Sequence, residues 1–162
     1  MIEKSTESAK SSAFRLLSYR PRSINEIQKR LLHKFDAEIV DITITWLVKN
    51  ELVNDEKFAI WWTESRVRQK LLSSSMIRKE LLEKKVSLNV INNVLINVDD
   101  NLNASLLAQR ISQKIEPQDL QEFRRKLYGR LLRRGYSSGV VLNSIDKAWN
   151  SLLESREIGI QA

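Results

Sequence analysis

Apolar residues recur along this chain in a pattern that repeats about every fifty positions. Leu31-Leu32, Leu81-Leu82 and Leu131-Leu132 stand at one fixed spacing. Each pair is followed by basic or polar residues and then a larger apolar residue: Phe35, Val86 or Tyr136. Asp36, Ser87 and Ser137 come next, all good helix N-caps. Ile39-Val40, Val90-Ile91 and Val140-Val141 follow in step, with Ile44, Leu95 and Ile145 one turn later. The register slips by one residue in the first copy, at the turn before Phe35.

The spacing predicts helices joined by hydrophobic staples. With Asp36, Ser87 and Ser137 as caps, Phe35, Val86 and Tyr136 precede the cap. Val40, Ile91 and Val141 then fall at the fourth helical position, where the two apolar side chains can close over the cap. A further helical stretch lies ahead of each Leu pair, over roughly 12–19, 55–70 and 101–115. The expected fold is all-α, an elongated array of three tandem three-helix repeats over 12–50, 51–99 and 100–154. Residues 1–11 and 155–162, polar and poor in large apolar side chains, are expected to be a disordered N-terminal tail and a C-terminal tail. Ser23 and Glu26 after Pro21 form a capping-box pattern, and Pro117 marks the expected start of the second helix of copy three.

Composition narrows the chemistry. The 162 residues include no Cys and one His (His33), which excludes disulfides, thiolate nucleophiles and multi-histidine zinc sites. Four Gly and no phosphate-cradling loop argue against a nucleotide-hydrolysing site. Asp55-Glu56 and Asp99-Asp100 fall where helices should begin, and negative charge there suits the helix dipole better than it suggests a metal. Trp46, Trp61, Trp62 and Trp149 are expected in packing rather than in base stacking. No catalytic residue, cofactor site or metal site is expected. The N-terminus lacks an apolar core and no run of about 18 apolar residues exists, so the expectation is a cytoplasmic protein without a membrane span.

Charge points to a partner instead. The net charge is +7. The three stretches 1–50, 51–100 and 101–162 carry 9 basic against 6 acidic, 8 against 8, and 10 against 6 residues. Acid-free basic stretches occur in every copy: Arg20 and Arg22, then Arg66, Arg68, Lys70, Arg78 and Lys79. In copy three Arg124, Arg125, Lys126, Arg130, Arg133 and Arg134 lie in a segment free of acid from Phe123 to Ile145. Leu120, Phe123, Leu127 and Leu131 form the buried stripe of that helix, and Lys126, Arg130 and Arg133 share a side away from it. Like charges at that spacing repel, so helix stability does not explain them. A partner bearing phosphates or carboxylates would, and a solvated face kept basic for solubility is the competing explanation.

Three motifs, in order, resemble the RecX family. They are Leu17-Ser18-Tyr19-Arg20-Pro21-Arg22-Ser23 with Glu26 and Leu31, then Leu52-Val53-Asn54-Asp55-Glu56-Lys57-Phe58-Ala59 with Trp62 and Ser65-Arg66. The third is Leu131-Leu132-Arg133-Arg134-Gly135-Tyr136 followed by Val140. The chain departs from the family pattern at Ser73–Ser75, at Lys84-Lys85-Val86 in place of a Lys-Gly-Ile turn, before Phe35, and at Asn54 in place of Asp. The resemblance implies a regulator that binds the RecA recombinase filament and limits its extension, ATPase and strand exchange, with contact to single- or double-stranded DNA; a monomer is expected. The thirteen basic residues named above are the expected contacts. A helix-turn-helix-like DNA-binding protein is an alternative reading of the staple turns. The helices after them (39–48, 90–98 and 140–152) are apolar and almost free of Arg, unlike a recognition helix. A helical scaffold without a nucleic-acid role is the other alternative.

Overall fold

The computed structural model describes residues 2–117 and 119–160, with side chains to Ser155. Among these residues there are nine helices and no strand. They are α1 (Ile2–Tyr19), α2 (Ile24–Leu32), α3 (Ala37–Lys49), α4 (Asp55–Lys70), α5 (Ser74–Glu83), α6 (Leu88–Leu95), α7 (Asp100–Ser112), α8 (Leu120–Leu132) and α9 (Ser138–Ile160). The fold is all-α, three helices to each of three repeats.

The chain divides into two compact units, and the division falls inside the middle repeat. Unit 1 holds residues 1–64 and 79–96; unit 2 holds 65–78 and 97–162. Each unit therefore contains one terminal repeat together with part of α4 and part of α5.

In unit 1, α1, α2 and α3 pack on one another around Ala13, Ile27, Leu31, Val40, Leu47 and Val53. Ser23 caps α2 as its sequence predicts: its hydroxyl accepts from the Glu26 N–H, and the Glu26 carboxylate accepts from the Ser23 N–H, both at 3.2 Å. Phe35 and Val40 join the same cluster, as a staple requires. Asp36 has the extended backbone of an N-cap, but its side chain makes no capping bond.

Helix α1 begins at Ile2 rather than near position 12, so most of the segment expected as a tail is helical. Its buried positions are Thr6, Ala9 and Ala13. Such small residues carry little hydrophobic signal, yet they let a neighbouring helix backbone approach closely, and α3 is that neighbour. Pro21 ends the helical run, because a residue before proline is displaced from helical angles. The C-terminal tail expected over 155–162 is likewise helical as far as Ile160, where α9 ends; Met1, Gln161 and Ala162 lie outside the described residues.

In unit 2, α7, α8 and α9 pack on one another around Phe123, Leu127, Leu131, Tyr136, Val141 and Ile145, with Ala104, Leu107 and Ala108 of α7 and Leu71 from the end of α4. Three residues of the predicted α8 stripe are fully buried, and Leu120 is half-buried. Pro117 lies two residues ahead of the cap instead of opening the helix. Asp119 is the N-cap and accepts from the Glu122 N–H at 2.8 Å.

The turns into α6 and α9 explain one departure in sequence. Gly135 has φ +91°, and Lys85, at the corresponding place, has φ +61°. The Val86 and Lys85 N–H groups donate to Leu81 and Leu82 carbonyls, closing the end of α5 through a left-handed residue. Lys85 thus adopts the conformation glycine adopts in copy three. Copy one is one residue shorter here, and its turn closes directly from the Phe35 N–H to the Leu31 carbonyl at 3.0 Å.

Candidate functional site

The two expected cations of copy one are held in structural roles. Arg20 donates to both oxygens of Glu26 at 3.2 and 2.9 Å and to the Pro21 carbonyl at 2.9 Å. Its guanidinium carbon lies 5.8 Å from the Trp62 ring centre. Lys84 reaches the same Glu26 oxygen at 2.9 Å and lies 4.2 Å from that ring. Trp62 in turn donates its indole N–H to Glu80 at 2.7 Å. Burial alone would raise the Glu26 pKa, but hydrogen bonds from Arg20, Lys84 and the Ser23 N–H hold it at about 2. Arg22 donates to the Leu16 carbonyl at 3.0 Å, where a cation suits the end of α1. Lys79 is exposed.

Unit 2 carries the remaining expected residues, and it sorts them. Arg124 pairs with Asp146 at 2.9 Å and Lys126 with Glu122 at 2.7 Å. Arg125 lines a hollow with Asp119, Gln121 and Glu122. The stretch from Phe123 onward lacks acid, but Glu122, one turn earlier, pairs with Lys126, and Lys126 does not line the groove that holds Arg130 and Arg133. Arg66 and Arg78 are half-buried, and Arg68 is exposed.

Lys70, Arg130, Arg133 and Arg134 come together. They line an open groove of about 340 Å³ with Gln69, Arg110 and Lys114, over Leu107 and Ile111. No carboxylate lines it. Lys70 ends α4, Arg110 and Lys114 belong to the last turn of α7 and just beyond it, and the other three cations come from the last turn of α8 and just beyond it. Arg134 is partly committed: one guanidinium nitrogen donates to the Lys70 carbonyl at 2.9 Å. Its own carbonyl accepts from the Ser73 N–H at 3.0 Å. Tyr136 anchors the same junction, donating to the Leu71 carbonyl at 2.6 Å. Burial, the main cause, and then Asp100 push the Tyr136 phenol well above its usual range, so the hydroxyl stays a donor.

Arg110 and Lys114 were not among the residues the sequence singled out. They stand four apart at a helix end, where cations are ordinary. Only the approach of α7 to the ends of α4 and α8 makes them part of one site. His33 is exposed at the C-cap of α2, and no group of three or more potential metal ligands exists among the described residues. Nor is any helix among them long and apolar enough to cross a membrane.

Comparison with known proteins places this arrangement. Residues 9–47 match the RecX first three-helix domain and residues 54–95 the RecX second three-helix domain, together half of the chain. Regulatory protein RecX of Chlorobium limicola is 27% identical over 152 residues, covering 93% of this chain and 96% of that protein. Regulatory protein RecX of Amycolatopsis mediterranei is 29% identical over 164 residues, covering 99% and 90%. The crystal structure of RecX from Lactobacillus salivarius superposes with a TM-score of 0.76 at 18% identity, over 90% of this chain and 97% of that one. With both three-helix domains matched over half of its length, the chain belongs to the RecX family.

Proposed function

We propose that this protein regulates the RecA recombinase by binding its filament, limiting filament extension, ATP hydrolysis and strand exchange. It acts as a binding protein in the cytoplasm, as a monomer, and performs no chemistry of its own. Membership of a family whose members are named regulatory proteins supports the regulatory part. The observation that carries the binding part is the array of six cations around one groove without a carboxylate, which suits a filament built on a polyanion. Arg130, Arg133 and Lys70 are the leading contacts among the expected residues, with Arg68 next; Arg20, Arg22, Arg124 and Lys126 serve the fold instead.

The test is recombinase ATPase on single-stranded DNA, with this protein titrated in below stoichiometry. Hydrolysis should fall and filaments should shorten by electron microscopy. Unchanged hydrolysis together with unchanged filament lengths would overturn the reading.

A further inference from the structure

The turn between α4 and α5 is built differently from its counterparts. Pro21, Leu71 and Pro117 each stand two residues ahead of the residue that caps the next helix: Ser23, Ser73 and Asp119. Proline fixes φ and cannot continue a helix, so the turns of the first and third repeats are stiffened by composition. The middle turn, Leu71-Leu72-Ser73, holds neither proline nor glycine. Leu71 instead takes φ +47°, and its N–H closes the end of α4 on the Val67 carbonyl at 3.0 Å. Among the described residues it is the one buried non-glycine side chain in the left-handed region, since Glu51 and Lys85 are exposed. That conformation is unfavourable for any residue with a Cβ and persists only where the surroundings impose it.

Those surroundings come from the third repeat, within the same unit. The Tyr136 hydroxyl donates to the Leu71 carbonyl at 2.6 Å, Arg134 donates to the Lys70 carbonyl at 2.9 Å, and the Ser73 N–H donates to the Arg134 carbonyl at 3.0 Å. Asp100 accepts from the Ser74 N–H at 2.7 Å. Gly135 lies so close to the Ser73 hydroxyl that a Cβ there would not fit. These bonds hold the turn closed, and two forces work against them. One is the left-handed backbone of Leu71. The other is charge: closure sets Lys70, at the end of α4, on the same groove as Arg134 and four further cations, with no carboxylate among the lining residues. Like charges gathered without a counter-charge repel one another.

We propose that the Leu71 turn is a strained joint whose closure assembles the groove, and that closure is coupled to occupancy of the groove. With the groove empty, repulsion and backbone strain open the joint locally, and Lys70 leaves the groove wall. A polyanion seated against the cations offsets the repulsion and closes the joint. Such a ligand binds the closed joint better than the open one, and that difference shifts the equilibrium. Leu71 and Tyr136 then act as positioning residues for the partner surface without touching the partner. The coupling rests on the reading above that the groove is the contact surface; the strain of the joint stands without it.

Amide hydrogen exchange of the full chain, followed by NMR, tests the joint. The Ser73 and Ser74 N–H groups are the reporters, and the buried Leu107 and Ala108 of α7 are the reference. In the free protein the reporters should exchange faster than the reference. Raising sodium chloride from about 0.1 to 1 M shortens the screening length from about 10 to 3 Å, and should slow the reporters. Saturation with a short oligothymidylate should slow them as well. R130Q removes an exposed cation on another helix and should slow them about threefold. K29Q, exposed on α2, should leave them unchanged. L71A and L71G truncate the same side chain, yet L71A should exchange about tenfold faster, since only alanine keeps a Cβ in the left-handed region. Thermal melting by circular dichroism checks both, and the salt and R130Q arms decide if neither folds. A turn with a merely structural role would respond to none of salt, strand or R130Q. The proposal is overturned if the reporters are as protected as the reference, or if salt or strand fails to slow them. It is overturned equally if R130Q leaves them unchanged, or if L71A matches L71G. Recombinase ATPase run in parallel keeps the two readings apart. A responsive joint with unaltered hydrolysis defeats the filament reading alone, and altered hydrolysis with an unresponsive joint defeats the coupling alone.

Discussion

Asp100, the first residue of α7, accepts hydrogen bonds from both the backbone N–H and the hydroxyl of Ser74, the first residue of α5, at 2.7 and 2.8 Å. Asp55 stands in the same place on α4 and accepts from the N–H of Ile24, the first residue of α2, at 2.8 Å. Each carboxylate opens the first helix of one repeat and caps the second helix of the repeat before it. Helix N-termini leave N–H groups unsatisfied, so this device links consecutive repeats through a need that every helix has. D100A should cost about 1–3 kcal/mol, the loss of a cap plus an orphaned donor. Urea denaturation of the full chain measures it. D100N keeps one acceptor oxygen and should lose less; equal losses would show that the cap is not the cause.

Glu26 makes stability depend on pH in a defined direction. Its carboxyl is held at about 2 in the fold, below the roughly 4.3 of an unfolded glutamate. A lowered carboxyl stabilises the fold fully above about pH 5, and that contribution is lost as pH falls toward about 2. Its side chain is only 17% exposed, so solvent screens little of it, and the contribution is on the order of 2–3 kcal/mol at neutral pH. E26Q should be destabilised by a comparable amount at pH 7 and should lose less between pH 5 and 3 than the parent. Melting temperatures across that range check it; parallel curves for the two proteins would refute it.

Lys85 and Gly135 predict opposite outcomes at corresponding turns. A left-handed conformation costs a residue with a side chain about 1–2 kcal/mol, and Lys85 adopts it at φ +61°. K85G should therefore raise stability, by about 0.5–1 kcal/mol after the added freedom of the unfolded chain is set against the relief. G135A should lower stability by more, because φ is +91° and the new Cβ would crowd the Ser73 hydroxyl and Met76 Cβ. Chemical denaturation of both variants reads the two signs.

Tyr136 tests how firmly the end of α4 is tied to the third repeat. Y136F removes the hydroxyl that reaches the Leu71 carbonyl and leaves the buried ring in place. The expected loss is about 1–2 kcal/mol, with the carbonyl left short of a partner in a buried place. Hydrogen exchange should show faster exchange at the Val67–Leu71 end of α4, whose Leu71 N–H bonds the Val67 carbonyl at 3.0 Å. Unchanged protection there would mean that Arg134 alone secures the junction.

Features set by neighbours in sequence were legible before any fold was known. The Ser23–Glu26 box depends on a spacing of three, and the staples at Phe35 and Tyr136 on a spacing of five; both reflect helix geometry alone. The fifty-residue recurrence of Leu31, Leu81 and Leu131 set out the three-helix plan, and all three are fully buried. Asn54 caps α4 in the place of an aspartate: its side-chain oxygen accepts from the Glu56 and Lys57 N–H groups at 2.8 and 2.9 Å. The helical residues before position 12 carry little hydrophobic signal, because Thr6 and Ala9 pack by being small.

What the tertiary structure alone decided is which charges are spent and which are left over. Runs of Arg and Lys look alike in sequence, and helix spacing cannot say where a carboxylate from another helix arrives. Glu26 receives Arg20 from six residues away and Lys84 from 58, and Arg124 meets Asp146 across 22. The groove joins Lys70, Arg110 and Arg133, which no local periodicity connects. Backbone bonding and amphipathic periodicity are local, so sequence by itself determined the helices and their turns. Electrostatic pairing acts through space, and only packing chose the residues that remain available to a partner.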